Sequence, residues 1–280
     1  MTKTKWMLIF SLLFSAACES RLKESSANAP FALEFLVPLV ERDTTQIRKG
    51  LPEGAAVLGK LIDDDPKHDP EGLRRSIEKA RGAVTDLAIA KSTFFIFVSP
   101  DGTVLRSEAE PDLAVGGSIF SEIPDSKRIF EKPGMVEVFG SMHGLRGVQN
   151  GADLQWVVGQ QVAVPSGKVV GAYVTGWSFR KYADFLEGAL RRNLTDNAKN
   201  KKGAAPLVYV FFARGSKAYG GAVTPDIDAE AVGKLDLPTQ VGDRLFQSTL
   251  TIEEQSFALV AKKVPAIDKD TVLVLLFSAL

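Results

Sequence analysis

The spacing of apolar and polar residues changes period several times along this chain, and each change marks an element. Phe31, Leu33, Phe35, Leu36, Val37, Leu39 and Val40 crowd together before charges gather after Glu41, which predicts a helix kinked at Pro38. Residues 53–62 predict a short second helix that ends at Asp63-Asp64-Asp65-Pro66. A third begins with Asp69 as N-cap and Pro70 at the first helical position. In it Leu73, Ile77, Ala80, Val84, Leu87 and Ala88 recur at helical steps as far as Lys91. The period then shortens. Residues 93–98 are aromatic and β-branched, as in a buried strand, and residues 103–106 return after the turn Ser99-Pro100-Asp101-Gly102. Residues 120–132 predict a helix closed by Pro133-Gly134, and 135–142, 154–164 and 169–175 predict strands. Residues 179–193 predict a helix with Tyr182, Phe185, Leu186 and Leu190 on one face.

A polar, basic stretch at 194–205 separates this pattern from a shorter repetition of it. Strands are predicted at 207–212 and 217–223, a short helix at 226–235, and three strands at 244–252, 256–264 and 271–278. Antiparallel strands joined by short turns, with helices held to one face, give an α+β class: two antiparallel-sheet modules preceded by a helical region. The expected organisation is a leader at 1–17, a tether at 18–29, a helical region at 30–92, a first module at 93–193, a linker at 194–205 and a smaller second module at 206–280.

The leader carries Lys3 and Lys5, an apolar run at 6–14 and the small residues Ser15-Ala16-Ala17, the pattern of a secretory signal peptide. Cys18, the one Cys of the chain, follows directly. Ser15-Ala16-Ala17-Cys18 resembles a bacterial lipobox, which implies a lipid on Cys18 and a soluble domain held to a membrane by that lipid. Glu19 after the Cys leans toward the periplasmic face of the outer membrane or the cell surface. An ordinary signal peptide with an incidental Cys is the alternative.

Charge and composition narrow the functions. The 34 basic and 34 acidic residues balance, which argues against nucleic-acid binding. One Cys and two His leave no disulfide framework, zinc cluster or iron–sulfur site. No H-E-x-x-H or G-x-S-x-G occurs, so no catalytic residues, metal or cofactor are expected and a non-enzymatic role is favoured.

Phe97-Val98-Ser99-Pro100-Asp101-Gly102-Thr103-Val104-Leu105 and, after an intervening helix, Val162-Ala163-Val164-Pro165-Ser166-Gly167-Lys168-Val169-Val170-Gly171-Ala172-Tyr173-Val174 resemble the opening and closing hairpins of double Cache modules, the PAS-like extracytoplasmic sensors of bacteria. The resemblance runs over residues 30–280, best at 93–190 and weakest at 207–280. It implies a small-molecule sensor. Family members usually continue into a membrane span and a cytoplasmic output domain; this chain stops at Leu280, so a sensor here needs a separate membrane receptor or envelope protein as partner. The amino-acid-binding motif of the family is missing, and no ligand class carries over.

Candidate ligand contacts follow from that resemblance and from strand alternation. The loop Ser141-Met142-His143-Gly144-Leu145-Arg146-Gly147 corresponds to one that overhangs the family's pocket, and Arg146 suits an anionic group. Trp156 and Gln160 share one face of their predicted strand, and Tyr173 and Thr175, with Trp177, share one face of theirs. These positions fit either a pocket wall or ordinary core. The acidic run before His68 fits a solvated loop better than a cation site, and Arg214-Gly215-Ser216-Lys217 fits a β-turn better than a phosphate loop. The rival function is an assembly lipoprotein of the envelope that binds another protein and no metabolite.

Overall fold

In this computed structural model the backbone is described for residues 4–147, 151–198 and 206–278, and the side chains for 22–147, 151–196 and 206–278. The side chains of the leader and of Cys18, and residues 199–205 of the expected linker, lie outside the described residues.

The chain opens with helix α1 (Thr4–Gly59), which passes through Pro30, Pro38, Gly50 and Pro52 without the breaks the sequence predicts. A stripe of buried residues accounts for its length. Ser25, Ala29, Leu33, Leu36, Val40, Ile47, Leu51, Ala55 and Leu58 are 0–2% exposed and recur at three- and four-residue steps or their multiples. Each buried Leu, Ile or Val stabilises by roughly 1.5–3 kcal/mol, and several together outweigh the ~3 kcal/mol cost of an interior proline. The segment expected as a tether is part of this helix, because Ser25 and Ala29 extend the buried stripe.

Two compact units form: Val40–Tyr182, and Met1–Leu39 with Ala183–Leu280. In the first, α2 (Pro70–Ala83) starts as predicted, with Asp69 accepting from Gly72 N at 2.8 Å. It stops at Val84, which is extended, so the expected single helix to Lys91 is α2 followed by a short α3 (Thr85–Ile89). Strands β1 (Phe94–Val98) and β2 (Val104–Ser107) form the predicted hairpin. Gly102 takes the positive φ of +86° that its turn requires.

The helix expected at 120–132 is divided into α4 (Ile119–Glu122), a 3-10 turn (Pro124–Lys127) and α5 (Arg128–Glu131). Pro124 forces Ile123 out of helical geometry, to φ −129° and ψ 78°. Strands β3 (Met135–Gly140), β4 (Gln155–Ala163) and β5 (Val169–Ser178) complete a five-stranded antiparallel sheet of order β2-β1-β5-β4-β3. Helix α6 (Phe179–Ala198) follows β5 directly.

In the other unit β6 (Leu207–Arg214), β7 (Lys217–Gly220), α7 (Asp226–Gly233), α8 (Leu237–Gln240), β8 (Phe246–Ile252), β9 (Gln255–Lys263) and β10 (Thr271–Ser278) follow in turn. Their sheet order is β7-β6-β10-β9-β8, the first sheet's order with each strand number raised by five. The architectural repeat expected from the sequence is present, although α8 was not foreseen.

Candidate functional site

In the first sheet Trp156 lies opposite Trp177, Val158 opposite Thr175 and Gln160 opposite Tyr173. Directly paired residues share a face, so β4 and β5 bring Trp156, Gln160, Tyr173 and Thr175 onto one side of the sheet. Phe95 and Phe97 join from β1, opposite Thr175 and Tyr173, and Glu137 and Phe139 join from β3, opposite Val158 and Trp156.

That side is packed and bonded within the chain. Trp156, Tyr173 and Thr175 are 0% exposed, so none borders a space large enough for water. Thr175 Oγ1 donates to Phe94 O at 2.7 Å and Tyr173 OH to Ile77 O at 3.4 Å. Trp156 Nε1 donates to Glu137 Oε2 at 2.9 Å. Glu137 also takes Arg48 of α1 in a two-pronged pair, Nε to Oε1 at 2.6 Å and Nη2 to Oε2 at 2.7 Å, and the Arg48 guanidinium lies 5.5 Å from the Trp156 ring centroid.

Trp177 stacks on Tyr182 at 4.0 Å and 4°, and Tyr182 OH donates to Asp43 of α1 at 2.8 Å. Burial raises the pKa of Tyr173 and Tyr182 well above the usual tyrosine value, so both hydroxyls stay neutral donors. The Glu137–Arg48 pair and the Tyr182–Asp43 bond clamp α1 to the sheet, and Tyr173 holds α2. Gln160 alone of the four is partly exposed.

Arg146 stands in a loop that packs against the other side. It follows a 3-10 turn (His143–Leu145) whose flanking Met142 and Leu145 pack with Ile96, Ile119, Ile123, Val157 and Val174. The loop is held tightly. Gln155 accepts from Met142 N at 2.7 Å, Glu122 from His143 N at 3.0 Å and Asp153 from Gly147 N at 3.2 Å. Gly144 lies against Leu113 and Ala114, where a Cβ would come within 2.6 Å of Ala114 Cα. Arg146 is half-buried, and its Nε is buried with no hydrogen-bond partner among the described residues.

The five candidates therefore divide: four share the α1 side of the sheet, and Arg146 stands in a loop whose Met142 and Leu145 pack against the opposite side. The sequence reading passed over Glu137, Arg48, Asp43 and Asp153. Glu137 alone left a signal, as a carboxylate between Val136 and Val138 in an apolar strand. His68 is exposed and pairs with Asp65 at 2.7 Å. Arg214 and Lys217 flank the β6–β7 turn, and Arg214 pairs with Asp268.

No family model matches the chain, and no curated protein matches it in sequence. Solved structures do. A candidate histidine kinase, vpHK1S-Z8, has an extracellular domain that superposes with a TM-score of 0.56 at 8% identity, over 93% of both chains. The extracellular ligand binding receptor from Desulfohalobium retbaense DSM5692 superposes at 0.51 and 11% identity, over 89% of this chain and 40% of that one. Methyl-accepting chemotaxis protein X gives 0.51 at 12% identity, over 92% of this chain and 98% of that one. The fold is the double Cache fold. In this Cache arrangement the first sheet's aromatic side receives α1, and its other side is roofed by α4, α5 and the loops at 108–118 and 141–147. The chain spans 40% of the length of the Desulfohalobium receptor, and identities of 8–12% place the Cache likeness at the level of the fold.

Proposed function

We propose that the protein is a lipid-anchored extracytoplasmic sensor that binds a small anionic molecule in its first module and signals through a separate membrane partner. One observation carries the reading: Arg146, in the loop over the roofed side of the first sheet, keeps a buried Nε with no partner among the described residues. A buried guanidinium N–H left unsatisfied costs about 1–3 kcal/mol, which a ligand carboxylate or phosphate removes. Trp156, Tyr173 and Thr175 serve this reading as the packed wall behind the sheet, and Gln160 as its partly exposed rim. Ligand binding transmits only if it favours one of two arrangements of the loop and helices. Lipid on Cys18 supplies the anchor and Lys3, Lys5 and the apolar run the export signal.

The test is a thermal-shift screen of the full chain against amino acids, carboxylates, nucleotides, sugars and polyamines. The expected result is a saturable rise with an anionic compound, abolished in Arg146→Ala. A folded chain that shifts with nothing in the panel would favour the second reading, an envelope scaffold. That reading draws on the exposed apolar pair Leu113 and Val115, 68% and 44% exposed. The anchor is tested separately: Cys18→Ser should release the protein from the membrane fraction.

A further inference from the structure

The second module carries an open cleft of about 680 Å³ that the Arg146 reading does not use. Tyr209 on β6 and Phe257 on β9 border it, their ring centroids 6.1 Å apart. The first turn of α7, with Pro225 before it, supplies Ile227 and Asp228. The β8–β9 turn supplies Ile252, Glu253, Glu254 and Gln255. Its volume is that of a small-molecule site.

Asp228 is the decisive group. It is 5% exposed, lines the cleft, and its carboxylate has no hydrogen bond or ion pair among the described residues. The charge that acts on it is another carboxylate, Glu253, and burial and that neighbour together raise its pKa. Glu253 itself is held at φ +53°, a left-handed conformation uncommon outside glycine. A buried acid near a second, exposed acid, with no cation to offset either among the described residues, is costly unless something positive occupies the space. Tyr209, partly exposed beside these acids, adds attraction for a positive group, with the buried Phe257 packed behind it. Among the described residues no group of three or more His, Cys, Asp or Glu converges as a metal site would, so the chemistry fits an organic cation better than a metal ion.

We infer that this cleft binds a small organic ammonium ion, with Asp228 and Glu253 as its counter-charges and Tyr209 as its aromatic wall. The inference uses residues of the second module alone and stands whether or not Arg146 binds an anion.

The experiment is isothermal titration calorimetry of the full chain with putrescine. Butane-1,4-diol serves as the neutral isostere, and magnesium chloride at matched ionic strength as the general-cation control. Saturable heat with putrescine and none with the diol is expected. Affinity should fall at least tenfold in Asp228→Asn and in Glu253→Gln. Both acid variants keep the shape of the side chain, and a melting temperature no lower than the parent's shows that each is folded. The inference is overturned if putrescine gives no saturable heat, if magnesium reproduces its heat, or if folded Asp228→Asn binds as tightly as the parent.

Discussion

Removing the Glu137 carboxylate should loosen α1 from the first sheet by an amount the geometry sets. Glu137→Ala breaks the two-pronged pair with Arg48 and leaves Trp156 Nε1 without its acceptor. Arg48 and Glu137 side chains are 32% and 27% exposed, so solvent screens their attraction and Arg48 can turn to water. That part is worth about 1 kcal/mol. Trp156 is 0% exposed and cannot turn away, and stranding its indole N–H costs about 1–3 kcal/mol more. The sum is about 2–4 kcal/mol. Urea unfolding followed by tryptophan fluorescence in a Trp6→Phe background isolates the right unit, because Trp156 and Trp177 both lie in Val40–Tyr182. Glu137→Gln, which keeps an acceptor for the indole, should cost only about 1 kcal/mol. In a Trp156→Phe background Glu137→Ala should also fall to about 1 kcal/mol, a coupling read by the double-mutant cycle. Equal losses for Glu137→Ala and Glu137→Gln, or strict additivity with Trp156→Phe, would refute the clamp.

Three other outcomes follow from single residues. Asp101 is held near a pKa of about 2 by hydrogen bonds from Ser99 Oγ and Thr103 N, so its contribution is complete above the usual 3.8 and is lost as pH falls toward about 2. Melts of Asp101→Asn across this window should converge with the parent at the acid end. Asp228 has the opposite sign: its raised pKa makes the ionised form a burden near neutrality that protonation relieves. Asp228→Asn should therefore melt higher than the parent at neutral pH and equal to it below pH ~4, in the absence of amines. Gly176 sits at φ +155° with the Trp156 carbonyl oxygen 1.9 Å from where a Cβ would be. Gly176→Ala meets backbone that cannot move aside and should cost about 3 kcal/mol or more in the same fluorescence assay, with loss of folding as the extreme result.

Strands and hairpins were legible because their signals are local. The turn at Ser99 to Gly102 needs only its own residues, and β10 (Thr271–Ser278) is apolar throughout its middle. Helix α1 was misjudged because Pro38 and Pro52 are local breakers, whereas the burial that overrides them comes from partners distant in sequence. Pro124 had the converse effect, ending a helix that periodicity alone would carry onward. The strand candidates shared faces as alternation predicts. Alternation does not say whether a face meets a cleft or a helix, and α1 occupies this one through Arg48 and Asp43. Asp228 left no trace in the sequence, because its isolation depends on the β8–β9 turn bringing Glu253 toward it rather than a cation.

The sensor reading turns on whether the first module takes an anionic ligand through Arg146. The direct measurement is the melting temperature of the full chain, parent and Arg146→Ala side by side, with an anionic compound from the panel raised to saturation. At a hundredfold excess over Kd a bound ligand stabilises the native state by about 2.7 kcal/mol, which for a unit of this size raises the melting temperature by roughly 5–10 °C. The account predicts that rise in the parent and none in Arg146→Ala. An equal rise in both, or no rise with any anionic compound in the panel, would contradict it.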